Sequence, residues 1–176
     1  MSGAPLRQNP PQSVPPALPE KDKARPRFDQ RPGYLIRRCQ QIAVAIFMDE
    51  AGAFDVTPVQ YAALSALRDN PGIDATRLSQ VIAFDRSTLG SVLDRLEAKA
   101  WIERHPKPDD RRVKLLYITA AGGALLDQII DGVDRSQDRI LGPLDQEERT
   151  AFLRMLVKLV EANNSLSRAP AAEAEK

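Results

Sequence analysis

The chain holds one cysteine and one histidine in 176 residues. A single cysteine closes no disulfide within the chain, and these two residues cannot build a zinc cluster. No metal or other cofactor is therefore expected. The formal net charge is +1, so the chain is no polycation and any contact with nucleic acid must rest on local charge. No apolar run approaches membrane-spanning length, and the start Met1-Ser2-Gly3-Ala4-Pro5-Leu6-Arg7 lacks the apolar segment of a signal peptide. A cytoplasmic protein is expected. No nucleophile–base set or metal-ligand spacing is present, which argues against an enzyme. The length suffices for one domain, or a small domain plus long helices, with a sizeable core.

What the sequence does contain is organised around Asp85 to Lys99. Leu89, Val92, Leu93 and Leu96 fall at i, i+3, i+4 and i+7, one side of an α-helix. Asp85 stands just before them, where a short acidic side chain accepts from the free N–H groups of the first turn. The opposite face carries Arg86, Ser87, Gly90, Ser91 and Asp94. Small residues and hydroxyls with an arginine at the helix start suit insertion into a DNA major groove. An ordinary core-packing helix is the other reading of the same pattern.

Around this helix the remaining elements fall into order. Residues 1–31 are proline-rich and then basic, with too little apolar content to offset ordering entropy. They read as a disordered arm, serving as a solubility tail or an electrostatic hold on DNA. From Pro32 a helix fits Leu35, Cys39, Ile42 and Ile46, and Gly52 ends it. Thr57-Pro58-Val59-Gln60 combines an N-cap, a first-turn proline and a capping-box glutamine. Tyr61, Leu64 and Leu67 supply that helix's buried stripe, and Asn70-Pro71-Gly72 stops it. Asp74 caps a short helix through Leu78, Val81 and Ile82, and a tight break at Ala83-Phe84 leads to Asp85. Two short helices joined by a tight turn make a helix-turn-helix.

Past Lys99 the apolar period changes from 3.6 to 2. Residues 101–105 and 113–118 read as paired strands, with Ile73 as a third short one and a basic hairpin tip stiffened by Pro106 and Pro108. Thr119 caps a helix running to Gly142-Pro143, on the order of 30 Å long at about 1.5 Å per residue. Asp145 and Glu148 open a last helix through Phe152, Met155, Leu156, Leu159 and Val160. The expected architecture is mainly α, a winged helix-turn-helix with a small antiparallel β-wing. Residues 57–119 form the DNA-binding lobe, 32–56 and 120–164 form a dimerisation domain of terminal helices, and 165–176 form a disordered tail.

Several of these segments, in order and at the right spacing, resemble the MarR family of winged-helix transcription regulators. They are Asp85-Arg86-Ser87-Thr88, Leu93-Asp94-Arg95-Leu96-Glu97, Ile102-Glu103-Arg104, the wing tip Asp110-Arg111-Arg112, and Ile118-Thr119-Ala120-Ala121-Gly122. The resemblance spans roughly Leu35 to Leu159. It implies a homodimer joined by the terminal helices, two DNA lobes, a pseudo-palindromic double-stranded operator, and a ligand crevice between dimer helices and lobe. Two positions depart from the family pattern: Ala100 stands where glycine is usual, and Val113 where a small residue is usual. If residue 100 must be left-handed, alanine costs about 1 kcal/mol.

The resemblance places Arg112 at the minor-groove wing arginine and Asp110 at the acid that orients it. A narrow minor groove concentrates negative potential and attracts an inserted guanidinium; an exposed ion pair is the alternative. Lys107 and Arg111 meet phosphates or water. Arg86, Ser87, Thr88 and Ser91 are expected at base edges and phosphates, and Arg95 either there or as a solvated or intrahelical pairing residue. Arg38 borders the apolar face of the first helix. It is either a snorkelling surface residue or a crevice charge pairing bidentately with a small aromatic carboxylate, with Tyr34 and Tyr61 as neighbours. Similarity to regulators of nicotinate catabolism implies a pyridine carboxylate. Cys39 reads as a buried, inert thiol, the alternative being a redox-sensing regulator that acts through it.

Overall fold

A computed structural model describes residues 27–171. The helices are α1 (Pro32–Ala51), α2 (Pro58–Asp69), α3 (Ala75–Val81), α4 (Arg86–Ala98), α5 (Ala120–Leu141) and α6 (Gln146–Asn163). The strands are β1 (Ile73–Asp74), β2 (Ile102–Pro106) and β3 (Lys114–Ile118). Each helix start follows from local chemistry. Thr57 and Gln60 form the expected reciprocal box: the Gln60 amide donates to Thr57 Oγ1 at 3.4 Å and the Thr57 amide to Gln60 Oε1 at 2.9 Å. Asp74 accepts from the amides of Thr76 and Arg77 at 2.8 and 3.0 Å. Asp145 and Glu148 repeat the box at α6.

The three strands form one antiparallel sheet in the order β1-β3-β2. Ile102 pairs with Ile118 and Arg104 with Leu116, while Ile73 pairs with Leu116 on the other edge. The sheet, α2, α3, α4 and the first half of α5 enclose a core in which Leu64, Leu67, Leu78, Leu89, Leu96, Leu116, Leu126 and Ile129 are fully buried. Each such side chain contributes about 1.5–3 kcal/mol of burial. The α3–α4 turn closes where the Phe84 amide donates to the Ser79 carbonyl at 2.9 Å, with Ala83 left-handed at φ 48°.

The junction after α4 is the most constrained part of the backbone. Ala100 is left-handed at φ 54°, so alanine there carries the cost foreseen for a position suited to glycine. Thr119 Oγ1 donates to the Ala100 carbonyl at 2.7 Å, and the Thr119 amide to the Trp101 carbonyl at 3.0 Å. Gly122, one turn into α5, lies so close that a Cβ would stand 2.2 Å from the Trp101 carbonyl oxygen. The Thr-x-x-Gly spacing is thus a docking device, with threonine making the bonds and glycine leaving the room.

Several expectations need correction. Cys39 is exposed rather than buried, and Leu35 and Ile42 of the same stripe are each 48% exposed. Only the C-terminal end of α1, at Phe47 and Ala51, reaches the core of this chain. Val81 is also exposed. Val113 lies outside β3, because its amide donates to the Asp110 carbonyl and closes the wing tip. Trp101 precedes β2, its carbonyl being taken by Thr119. Of the arm, residues 1–26 lie outside the described residues, but Phe28–Gln30 form a 3₁₀ turn whose Phe28 ring packs edge-on against Tyr34 at 4.9 Å. Nor is the tail unstructured from residue 165. Asn164–Leu166 form a 3₁₀ turn, and the Asn164 amide group brackets the backbone of Ala171 at 2.9 and 3.0 Å. Residues 172–176 lie outside the described residues.

Gly122→Ala should destabilise the fold by about 1–3 kcal/mol, since a methyl group would collide with backbone. Ala100→Gly should stabilise it by roughly 1 kcal/mol by relieving the left-handed strain. Urea unfolding at neutral pH measures both. A neutral Gly122→Ala would show that α5 does not depend on this close approach.

Candidate nucleic-acid interface

Helix α4 sorts its side chains as its spacing requires. Leu89, Val92, Leu93 and Leu96 are buried, while Arg86, Ser87, Thr88, Gly90, Ser91, Asp94 and Arg95 are exposed. Asp85 caps the helix, accepting from the Ser87 amide at 2.8 Å and from the Ser87 hydroxyl. These bonds, the hydroxyl's first, hold the Asp85 carboxyl below its ordinary range. The Ser91 hydroxyl donates to the Thr88 carbonyl at 2.9 Å. Both serine hydroxyl protons are thus committed inside the helix, and the oxygens are left to act as acceptors. Acceptors in a major groove match the exocyclic amino groups of adenine and cytosine.

Gly90 is informative in a different way. A Cβ built there meets nothing within 4 Å, so packing within the chain does not require glycine, which costs a helix about 1 kcal/mol. A bare backbone in the middle of the exposed face suits close approach by a partner.

The wing is tied to this helix by Arg104, a residue whose role the spacing alone did not disclose. From β2 its guanidinium reaches Asp94 at 2.6 Å and Glu97 at 3.3 Å, both on α4. It is three-quarters buried, its side chain being 26% exposed. Alternation along the strand put it on the face towards α4, but only the packing supplied its partners. Lys99 plays a comparable part at the helix end, pairing with Asp55 at 2.6 Å while lying 4.5 Å over the Trp101 ring.

At the wing tip the Lys107 amide donates to the Val113 carbonyl, and the Val113 amide to the Asp110 carbonyl, each at 3.0 Å. Asp110 Oδ1 accepts from the Arg112 backbone amide at 3.0 Å. This corrects the expected role of Asp110: it shapes the turn that carries Arg112 and makes no bond to the guanidinium. The side chains of Lys107, Arg111 and Arg112 are exposed. Like Arg86 and Arg95, they enter no ion pair among the described residues.

The residues expected at a ligand crevice are not gathered by one chain. Tyr34 packs on Phe28 and under Arg37, whereas Tyr61 packs against Phe47 at 6.0 Å. Tyr34 and Phe47 are separated along α1 by about 20 Å at 1.5 Å per residue. Arg38 donates to Gln41 Oε1 at 3.4 Å and enters no ion pair among the described residues. No group of three or more His, Cys, Asp or Glu side chains able to hold a metal occurs among the described residues.

This geometry can be set against known proteins. The model of the MarR family matches residues 56–114, the stretch from the start of α2 to the end of the wing tip. The transcriptional repressor NicR of Pseudomonas putida is 32% identical over 133 residues, 76% of this chain and 84% of that protein. The chain belongs to the MarR family. Among solved structures, Bordetella bronchiseptica BpsR, described with regulation of its DNA binding by 6-hydroxynicotinic acid, is 29% identical with a TM-score of 0.73. That match covers 77% of this chain and 97% of BpsR. The repressor CouR, solved on a 23-mer DNA duplex, is 29% identical with a TM-score of 0.70, over 76% and 94% of the two chains. This protein is accordingly a MarR-family transcriptional regulator with a winged helix-turn-helix. Its departure at Ala100 is a strained, left-handed residue at the junction after α4, and its departure at Val113 falls in the tip turn that carries Arg112.

Two substitutions separate contact from positioning. Arg112→Ala should weaken binding to a preferred duplex by roughly 1–3 kcal/mol, the scale of a groove contact, and leave the melting temperature unchanged. Arg104→Ala should lower both affinity and melting temperature, because it frees two α4 carboxylates and loosens the wing. Fluorescence anisotropy and thermal melts measured on the same samples decide it. A folded Arg112→Ala protein with parental affinity would remove the wing from the interface.

Proposed function

We propose that the protein is a homodimeric, effector-responsive repressor that binds a pseudo-palindromic operator and is released by a small aromatic acid. The observation that carries the operator reading is the exposed face of α4. Its hydroxyl oxygens, bare Gly90 backbone and Arg86 stand beside a wing whose arginines, like Arg86, enter no ion pair among the described residues. Ser87, Thr88 and Ser91 would read base edges in the major groove, and Arg112 would enter the minor groove. Arg86, Arg95, Lys107 and Arg111 would hold phosphates.

Dimerisation is supported by apolar surface that one chain leaves uncovered. Helix α6 has no buried residue, and its Leu153, Met155, Leu156, Val157, Leu159 and Val160 are 37–63% exposed. Leu35, Ile36 and Ile42 of α1 add to it. A second copy covering this surface would be an isologous dimer with paired lobes. The Leu156→Glu, Val160→Glu double variant should sediment as a monomer and bind a selected duplex at least tenfold more weakly. A folded double variant that sediments as the parent does would exclude α6 from the interface.

For the effector, a pyridine carboxylate is the leading class. NicR and BpsR are similar to this chain over most of its length, and BpsR answers to 6-hydroxynicotinic acid. Arg38 is exposed and, among the described residues, makes a side-chain hydrogen bond only to Gln41, which leaves it able to pair with a carboxylate. Tyr34 and Tyr61 would flank the ring once a second chain completes the crevice. A second reading, a redox response through Cys39, is favoured by the exposure of that thiol. Millimolar 6-hydroxynicotinate should release the parent from a selected duplex and leave Arg38→Ala bound. Release by peroxide that Cys39→Ser abolishes, with no response to the acid, would favour the second reading instead.

A further inference from the structure

The segment after α6 folds back onto the helix-turn-helix. Arg168, Ala169 and Pro170 share with Ser79 and Gln80 of α3, Phe84 of the turn and Arg86 of α4 the lining of a cavity of about 230 Å³. The segment has a defined shape. The Asn164 amide brackets Ala171 from both sides, and the Ala169 amide donates to Ser167 Oγ at 3.1 Å. The tail thus arrives beside the first residue of the recognition helix as a short, braced loop.

The chemistry of that lining is unbalanced. Arg86 and Arg168 both line this one cavity, and among the described residues no carboxylate lines it. Neither arginine enters an ion pair among the described residues. The one carboxylate next in sequence, Asp85, already accepts from the Ser87 amide and hydroxyl. The Ser79 hydroxyl is buried and spends its proton on the Thr76 carbonyl at 2.7 Å. Two like charges sharing a cavity repel each other, and an anion placed between them reverses the sign of that interaction. Guanidinium pairs are also well matched to the oxygens of a phosphate.

We propose that the C-terminal loop is a third DNA-contacting element of this regulator, in which Arg168 joins Arg86 in holding one backbone phosphate at the edge of the major groove. The inference rests on the operator-binding reading above and adds to it a contact lying outside both the recognition helix and the wing. A phosphate contact positions the protein without reading sequence. Arg168 therefore contributes affinity and salt dependence but no base preference.

The test uses the full chain and a duplex selected by the parent from a random-sequence pool. Binding is followed by anisotropy across a range of salt concentrations for the parent, Arg168→Ala and Arg168→Lys. Arg168→Ala should bind roughly three- to tenfold more weakly at physiological salt, the scale of one charge-assisted contact. Its log–log salt slope should be shallower by about 0.9, the release from one phosphate. Arg168→Lys should recover most of both, and repeated selection should return the same sequence. Arg168→Ala with the parental slope and affinity overturns the proposal while leaving operator binding intact. A parent that selects no duplex overturns the operator reading and this proposal together. Inorganic phosphate separates the remaining source of the same chemistry. If it raises the parent's melting temperature in an Arg168-dependent way while the DNA slope is unchanged, the pair is a small-anion site and the DNA contact is refuted.

Discussion

The carbonyls of Ala100 and Trp101 are the point on which the molecule turns. Thr119 binds both, and the Trp101 oxygen lies where a side chain on Gly122 would have been. Through these few atoms the end of the recognition helix, the start of the wing and the first turn of the longest helix are held in one geometry. Ala100 must be left-handed for the chain to turn there, and the strain is borne because hydrogen bonds and buried neighbours over-determine the junction. The first turn of α5 is thereby fixed against the end of α4 and the start of the wing.

Charge is distributed in keeping with that division of labour. Arginines that hold elements together are paired: Arg104 joins wing to recognition helix, while Arg135 and Arg139 of α5 reach Glu50 and Asp49 of α1. Hydrogen bonds from Arg135 and then Arg139 hold the Glu50 carboxyl below its usual range, which marks a pair made in the folded state. The arginines at the wing tip and the start of α4 have no such partner among the described residues. A chain with net charge +1 can therefore present arginines locally, with carboxylates such as Asp49, Glu50, Asp94 and Glu97 engaged in pairs that hold the fold.

The amphipathic pattern of residues 85–99, the capping boxes at Thr57 and Asp145, and the change of period after Lys99 mark the main helices and the wing in the sequence itself. These are local signals. A cap or a period of 3.6 is decided by neighbours in sequence, so the chain alone determined the helices, the wing and which face of α4 is apolar. The Thr-x-x-Gly spacing was visible as well, but as a family likeness and not as a contact.

Tertiary structure decided what depends on residues far apart. That Arg104 pairs with Asp94 and Glu97, that Asp110 shapes the wing backbone and not the Arg112 guanidinium, and that Arg168 returns to Arg86 all require the chain to have closed on itself. Cys39 shows the same limit from the other side. Its place in an apolar stripe reads as core, yet burial depends on what stands opposite, and among the described residues nothing covers that part of α1. Periodicity determines which side of a helix is apolar; the packing of distant elements determines whether that side is buried, paired or left open to a partner.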